Sequence, residues 1–531
     1  MATQSGPSGS PLTVHRSASP EQLDLSSTAS HTLDSPPTRT TADEKRQNSR
    51  STARGVTLAD DIAPEGAASN THPPTTRPSR RSTGRESSFE APPFRQRLTD
   101  LFVAERPIKK EPTVVESFKA IFFASWLNVL LLLLPVGWAL HFCHVNDTIV
   151  FVFTFLTIIP LAKLLGTGTE EVALRVGQTL GGLINATLGN AVELIVAIIA
   201  LAKCEIQVVQ SSLLGSILSN LLLVLGMCFF AGGIKFSEQG FKDTAAQLNS
   251  SLLVIAVIAV LLPAGYNAAF SDNLEPQAEQ DRILKMSRGT SIILLVIYLA
   301  YLIFQLFSHT HLYAEGATSE EEAAAQRDGR EIWGMRGHRA FRAARSVRRP
   351  RQVEEGETDD EDEETEEATM NIWVALGLLI VVTVLVALTA EFLVDSINGL
   401  TEQHPSISTE WVGLILLPIV GNAAEHVTAV TVSVKDKVDL AMGVAVGSSI
   451  QISLFVIPFM VTLGWMMNKP LSLLFDPFES ITLFLSVLLV NYVVQDGRSN
   501  WLEGFLLMMV YIIVAVSFWY YPDAANAAYS C

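Results

Sequence analysis

Gly189-Asn190-Ala191-Val192-Glu193 and Gly421-Asn422-Ala423-Ala424-Glu425 decide how this chain folds. Each lies inside a long apolar run, and in each a glycine and an amide precede a carboxylate before the run resumes. A carboxylate at bilayer depth costs about 2.5–3.5 kcal/mol on insertion scales, so it persists there only facing a partner, a cavity or an ion. One such glutamate is explained by a structural ion pair or a hydrogen-bonded core. Two with the same flanks point to a shared task. The motifs stand 232 residues apart, and the same offset sets Gly215-Ser216 on Gly447-Ser448 without a gap.

The runs around the motifs set the class. Apolar blocks fall at roughly 118–141, 147–165, 172–203, 206–233, 244–266 and 284–308, then at 371–397, 407–434, 438–466, 475–495 and 501–521. Most approach the ~20 residues that a membrane helix needs. The expected fold is an all-α polytopic membrane protein of about eleven transmembrane helices. One extra N-terminal span, 118–141, precedes two five-span repeats, 147–308 and 371–521. Five is odd, so the repeats enter the membrane in opposite directions. Inverted repeats of this kind place transport sites near the midplane, where the halves meet.

The polar segments differ in kind. Residues 1–115 are rich in Ser, Thr, Pro and Arg and hold too few large apolar side chains to fold, so a disordered tail is expected there. No early apolar stretch resembles a cleaved signal peptide. The insert at 309–370 is basic from Arg336 to Arg351 and acidic from Glu354 to Glu367. It reads either as a solvated linker or as a cation-attracting regulatory segment that includes Glu361 and Glu364. Basic residues near the short loops set the orientation. Arg95, Arg97, Arg106, Lys109, Lys110, Lys235, Lys242, Lys435, Lys437 and Arg498 fall on one side of an eleven-span layout, with the insert's arginines. That side is cytosolic and carries the N-terminus, which leaves residues 522–531 as a luminal tail.

Glycine inside a helix costs about 1 kcal/mol relative to alanine, so Gly189 and Gly421 are expected to loosen their helices. Pro418 adds a second reason for a break in the later half. Backbone carbonyls freed there are tolerated only where they line a cavity. The resulting ion-binding inventory is Glu193, Glu425, Asn190, Asn422, Gly189, Gly421, Ser216, Ser219, Ser448, Ser449 and Gln451. These are hard oxygen donors. They suit Ca²⁺, which takes about 6–8 oxygens, and also admit Mn²⁺ or other divalent cations. Only His426 lies nearby as a softer ligand, and the four cysteines show no CxxC spacing.

Glu193 and Glu425 are the metal-binding pair for Ca²⁺. Burial and mutual repulsion favour their neutral form, whereas a bound divalent cation favours the ionised one. Protons and cation therefore displace each other, which is the chemistry of exchange. The glycine-serine motifs read equally as close helix packing. His426, Glu170, Glu171, Glu391 and Asp395 stand as an ion-access path or as ordinary polar neighbours near span ends. No nucleophile-base set, nucleotide loop or nucleic-acid module is visible, so neither an enzyme nor a cofactor is expected. A sodium- or potassium-coupled exchanger, a cation channel and a membrane scaffold are the alternatives.

The stretches Gly181 to Leu201, Ser211 to Gly226 and Gly413 to Phe459 resemble the cation/proton exchanger (CAX) family of the calcium/cation antiporter superfamily. Lys435-Asp436-Lys437 and Gly447-Ser448-Ser449-Ile450-Gln451 belong to the same likeness, which covers about 105–521. The resemblance implies Ca²⁺/H⁺ antiport across the vacuolar membrane, with Glu193 and Glu425 binding the ion. It also implies that the acidic run 354–367 forms a cytosolic segment able to bind Ca²⁺.

Overall fold

The computed structural model describes residues 111–176, 178–270, 276–309, 312–313 and 368–522. Residues 1–110 of the tail expected over 1–115, residues 523–531 of the tail expected over 522–531, and most of the insert, with Glu361 and Glu364, lie outside the described residues, while a helix already begins at Val114. The helices run α1 Val114–Phe123, α2 Trp126–Phe142, α3 Asp147–Ala173, α4 Gln178–Leu188, α5 Ala191–Ala202, α6 Ile206–Lys235, α7 Asp243–Phe270 and α8 Pro276–Ile303. After the insert come α9 Ile372–Gln403, α10 Thr409–Gly421, α11 Ala423–Val434, α12 Val438–Met466, α13 Pro477–Val493 and α14 Trp501–Trp519. Among the described residues seven helices are long and apolar enough to cross a bilayer, or nine when each of two bent pairs counts as one span. Two short strands, β1 Gln239–Gly240 and β2 Arg498–Ser499, pair antiparallel and join the loop after α6 to the loop before α14.

Asparagine and aspartate open several of these helices by accepting the otherwise unpaired amides of the first turn. Asn146 accepts from Thr148, Asn371 from Trp373, Asp476 from Phe478 and Glu479, and Asn500 from Leu502 and Glu503. The outer faces of α7, α8, α9 and α14 carry exposed apolar residues such as Leu262, Ile293, Val381 and Ile513. Apolar surface on that scale marks a lipid-facing exterior. Leu201, Leu214, Leu218, Leu221 and Leu225 are fully buried between the halves.

Two helix stops lie at the offset that separates the motifs. Cys204 and Asp436, 232 residues apart, both take left-handed conformations, with φ of 67° and 66°. Each ends a half-helix with the same bond pattern: Glu205 N–H donates to the Ala200 carbonyl at 2.9 Å, and Lys437 N–H to the Val432 carbonyl at 3.1 Å. Satisfying late carbonyls through a left-handed residue is a standard helix stop. Segments of wider, π-type winding follow the glycine-serine motif in both halves, at Ser219–Val224 and Ile452–Val456. The long helices α3 and α9 pack along each other, while α6 packs against α10, α11 and α12.

Two boundaries differ from the sequence expectation. The block at 118–141 is not one straight span, because α1 and α2 meet at 88°. Ser125 is extended there, and the Asn128 side chain donates to the Ile121 and Phe122 carbonyls at 2.8 and 3.3 Å, which closes the end of α1. Hydropathy alone cannot register that break, since the residues on both sides are apolar. The span starting at 147 also runs on to Ala173, so the block expected to begin at 172 begins at Gln178 instead.

Glu171 serves the architecture at that end of α3. It pairs with Arg175 at 2.8 Å, both side chains nearly inaccessible, and accepts from Thr369 N–H and Oγ1 at 2.8 and 2.5 Å. Arg175 also donates to the Met370 carbonyl. The point where the insert rejoins the membrane domain is thus clamped to α3. Glu171→Gln removes one charge of a buried pair, a class of change that costs about 3–5 kcal/mol. A marked fall in thermal midpoint of the purified protein is expected, and an unchanged midpoint would show the pair to be dispensable.

Candidate ion-binding site

Both Gly-Asn-x-x-Glu motifs break their helices one residue after the glycine. Asn190 (φ −98°, ψ 32°) separates α4 from α5, and Asn422 (φ −88°, ψ 2°) separates α10 from α11. The α10–α11 break bends the chain by 55°. Each glutamate then falls on the third residue of the resumed helix, Glu193 in α5 and Glu425 in α11. Amides at a helix N-terminus are unpaired and carry partial positive charge, so a carboxylate in that first turn is electrostatically supported.

The halves meet at these residues. A Cβ placed on Gly421 would sit 2.8 Å from Glu193 Oε1, so only a glycine lets that carboxylate lie against the opposite half. Glu425 is near enough for the charge of Glu193 to act on it directly. Ser448 links the groups, donating to Asn190 Oδ1 at 2.7 Å and accepting from Asn220 Nδ2 at 3.2 Å. Among the described residues the side-chain oxygen and nitrogen of Asn422, Asn220 Oδ1, Glu425 Oε2 and Gln451 Nε2 are buried without a hydrogen bond. Buried polar atoms rarely go unmatched, so these five have capacity to spare for a polar ligand. No three acidic, imidazole or thiol groups cluster among the described residues, so the two glutamates would be completed by neutral oxygens.

A small cavity of about 30 Å³, room for about one water, reaches Glu193. Its other lining residues include Val196 on α5, Ser212 and Ser216 on α6, Leu393 on α9 and Leu417 on α10. All but Ser216 are displaced from Glu193 and Gly421 towards the helix ends at Ala202, Ile206, Gln403 and Thr409. The cavity therefore lies mainly on one side of Glu193 and Gly421, towards those helix ends. Glu425 does not line it.

The profile of the family described as "Sodium/calcium exchanger protein" matches residues 146–307 and 374–520, more than half of the chain. The chain belongs to that family. The chain is 50% identical over 535 residues to a vacuolar calcium ion transporter of Cryptococcus neoformans var. grubii, covering 90% of this chain and 87% of the relative. It is 41% identical over 394 residues to a Ca(2+)/H(+) antiporter of Synechocystis sp., covering 74% of this chain and 97% of the relative. The solved structure of native YfkE superimposes with a TM-score of 0.57 at 31% identity, covering 74% of this chain and 99% of that one.

Within this exchanger, the expected site residues divide. Glu193, Glu425, Asn190, Gly421 and Ser448 come together as described, and Ser216 lines the cavity. Ser219 lies 3.4 Å from His426 Nε2. Ser449 instead donates to the Ala445 carbonyl of its own helix at 3.0 Å, and Gly189 approaches the Asn185 carbonyl rather than a carboxylate. Glu391 and Asp395 form ion pairs with Lys203, while Glu170 is exposed near the end of α3. Asn220 and Ser212 were not among the expected ligands. Their repeat counterparts are Ile452 and Val444, so a search for matched polar pairs passes over them. A polar residue one turn after Ser216 in an otherwise apolar run was the available signal for Asn220.

Proposed function

We propose that the chain is a secondary active antiporter that moves Ca²⁺ out of the cytosol in exchange for vacuolar H⁺, by alternating access at Glu193 and Glu425. The carrying observation is the meeting of Glu193 with Gly421 and Glu425 across the two halves. Two carboxylates balance one divalent cation, and the amides and hydroxyls around them supply neutral oxygens. Protons on the same carboxylates neutralise the empty site, so each substrate leaves when the other arrives. The names of the fungal and cyanobacterial relatives, a vacuolar calcium ion transporter and a Ca(2+)/H(+) antiporter, support this reading. In it, α4 with α5 and α10 with α11 each form one broken span, and α2 is the extra N-terminal span. The remaining helices then make two inverted five-span repeats, eleven crossings in all, in the vacuolar membrane. With the N-terminus cytosolic, the cavity beside Glu193 lies on the luminal side of the carboxylates. Ca²⁺ and H⁺ are the partners, with Mn²⁺ as a competing cargo.

Vesicles holding the purified protein and loaded with acid should accumulate radiolabelled Ca²⁺ and lose it when the pH gradient collapses. A sodium or potassium gradient at constant pH should drive none. Uptake driven by sodium alone would transfer the protein to the alkali-coupled alternative. Uphill accumulation of any Ca²⁺ excludes a channel.

A further inference from the structure

The helix α1 has no role in the site, yet its surface is unusual. Ser117 is fully buried and Ile121 packs on the core, while Val115, Phe118, Phe122 and Phe123 are exposed. Ser117 fixes α1 in place: its hydroxyl donates to the Thr113 carbonyl at 2.9 Å and accepts the Asn371 amide, at the start of α9, at 2.8 Å. The bend to α2 is 88°, so if α2 crosses the bilayer, α1 lies along its surface. An apolar and aromatic stripe on a helix in that plane is the signature of an interfacial helix.

Charges of both signs border the stripe, the exposed carboxylates of Glu111 and Glu116 among them. Lys119 is exposed on α1, and Lys109 and Lys110 precede it in sequence. The acid of the helix, Glu116, is occupied in a capping box, accepting from Thr113 N–H at 2.8 Å and Thr113 Oγ1 at 2.9 Å. Lysines beside a membrane surface gain about 1 kcal/mol each from anionic lipid. We propose that α1 is a membrane-surface helix that seats Val115, Phe118 and Phe122 at the acyl boundary and Lys119 on anionic phospholipid headgroups, at the face where the insert rejoins α9. Through the Ser117–Asn371 bond it holds the first turn of α9 at that surface.

The test uses the full chain in nanodiscs whose phosphatidylcholine is brominated either near the headgroup or near the chain end, with and without phosphatidylserine. Val115→Trp, Phe118→Trp and Phe122→Trp are introduced singly into a Trp126→Phe background, and the fluorescence difference from that background is read. Shallow bromine should quench all three about twofold more than deep bromine, as expected for a helix parallel to the surface. Removing phosphatidylserine should lower that quenching. A graded depth from 115 to 122 would mean that the helix crosses the bilayer. Absence of quenching at all three would mean that water or protein covers the stripe, and indifference to phosphatidylserine would remove the anionic lipid. Either of the first two results overturns the proposal, and the third overturns its choice of lipid. All three positions are exposed, so a variant that fails to purify leaves two independent readouts.

Discussion

Glu193→Gln and Glu425→Gln are each expected to abolish Ca²⁺ uptake driven by a pH gradient while leaving protein abundance unchanged. Glutamine keeps the shape of the side chain and relieves the cost of placing a charge inside the protein, so folding should not suffer. The loss falls on the ions. An amide cannot give up a proton in exchange for a cation, and its NH₂ group points a positive hydrogen where the ion needs an oxygen. Losing one charge-assisted contact is worth about 1.5–3 kcal/mol, or about ten- to a hundredfold in affinity before coupling is counted. Because Glu193 rests on Gly421 and acts electrostatically on Glu425, neither carboxylate can replace the other. Normal transport by either variant, measured at matched abundance in reconstituted vesicles, would end the shared-carboxylate mechanism.

The second large effect separates two residues that the repeat makes equivalent. Gly215 and Gly447 occupy the same place in their motifs, but their surroundings differ. A Cβ on Gly215 would collide with the Leu414 carbonyl and come within 2.7 Å of the Pro418 ring, whereas a Cβ on Gly447 would meet nothing within 4 Å. The collision is with backbone and a rigid ring, so the helices themselves must separate. Overpacking of this kind typically costs about 1–3 kcal/mol. Gly215→Ala should therefore lower the thermal midpoint and deplete transport. Gly447→Ala should keep wild-type stability. An equal loss of stability in both would show that the close approach of α6 to α10 is not particular to one half.

The residues themselves expose much of this arrangement and conceal a definite part. Gly-Asn ahead of a glutamate foretells both helix breaks, because glycine weakens the winding and a carboxylate needs a polar place to go. The helix stops at Cys204 and Asp436 fall at the same offset of 232, although only Lys203 and Lys435 match in the residues that form them. Asymmetry is what the duplication hides. Identical glycines give no hint that one is pressed against α10 and the other is free, nor that the cavity touches Glu193 and not Glu425. The right angle after α1 is concealed for a different reason: Ser125 and Asn128 make it within a run that hydropathy treats as uniform. Glu171 was legible as a carboxylate near a span end. Its pairing with Arg175 is local, four residues on, but its engagement with Thr369 depends on a residue nearly two hundred positions away being brought alongside.

The widened segments at Ser219–Val224 and Ile452–Val456 bear on how such a molecule changes shape. A π-type turn spreads each amide-carbonyl bond over an extra residue, and short π segments recur where helices serve a task. One contains Ser219 and Asn220 themselves, and the other lies directly beyond Gln451. Winding can tighten or slacken there by a fraction of a turn without tearing the helix. Motion pivoting on these two collars would swing the distal halves of α6 and α12 like levers, while the short half-helices that carry Glu193 and Glu425 keep their grip.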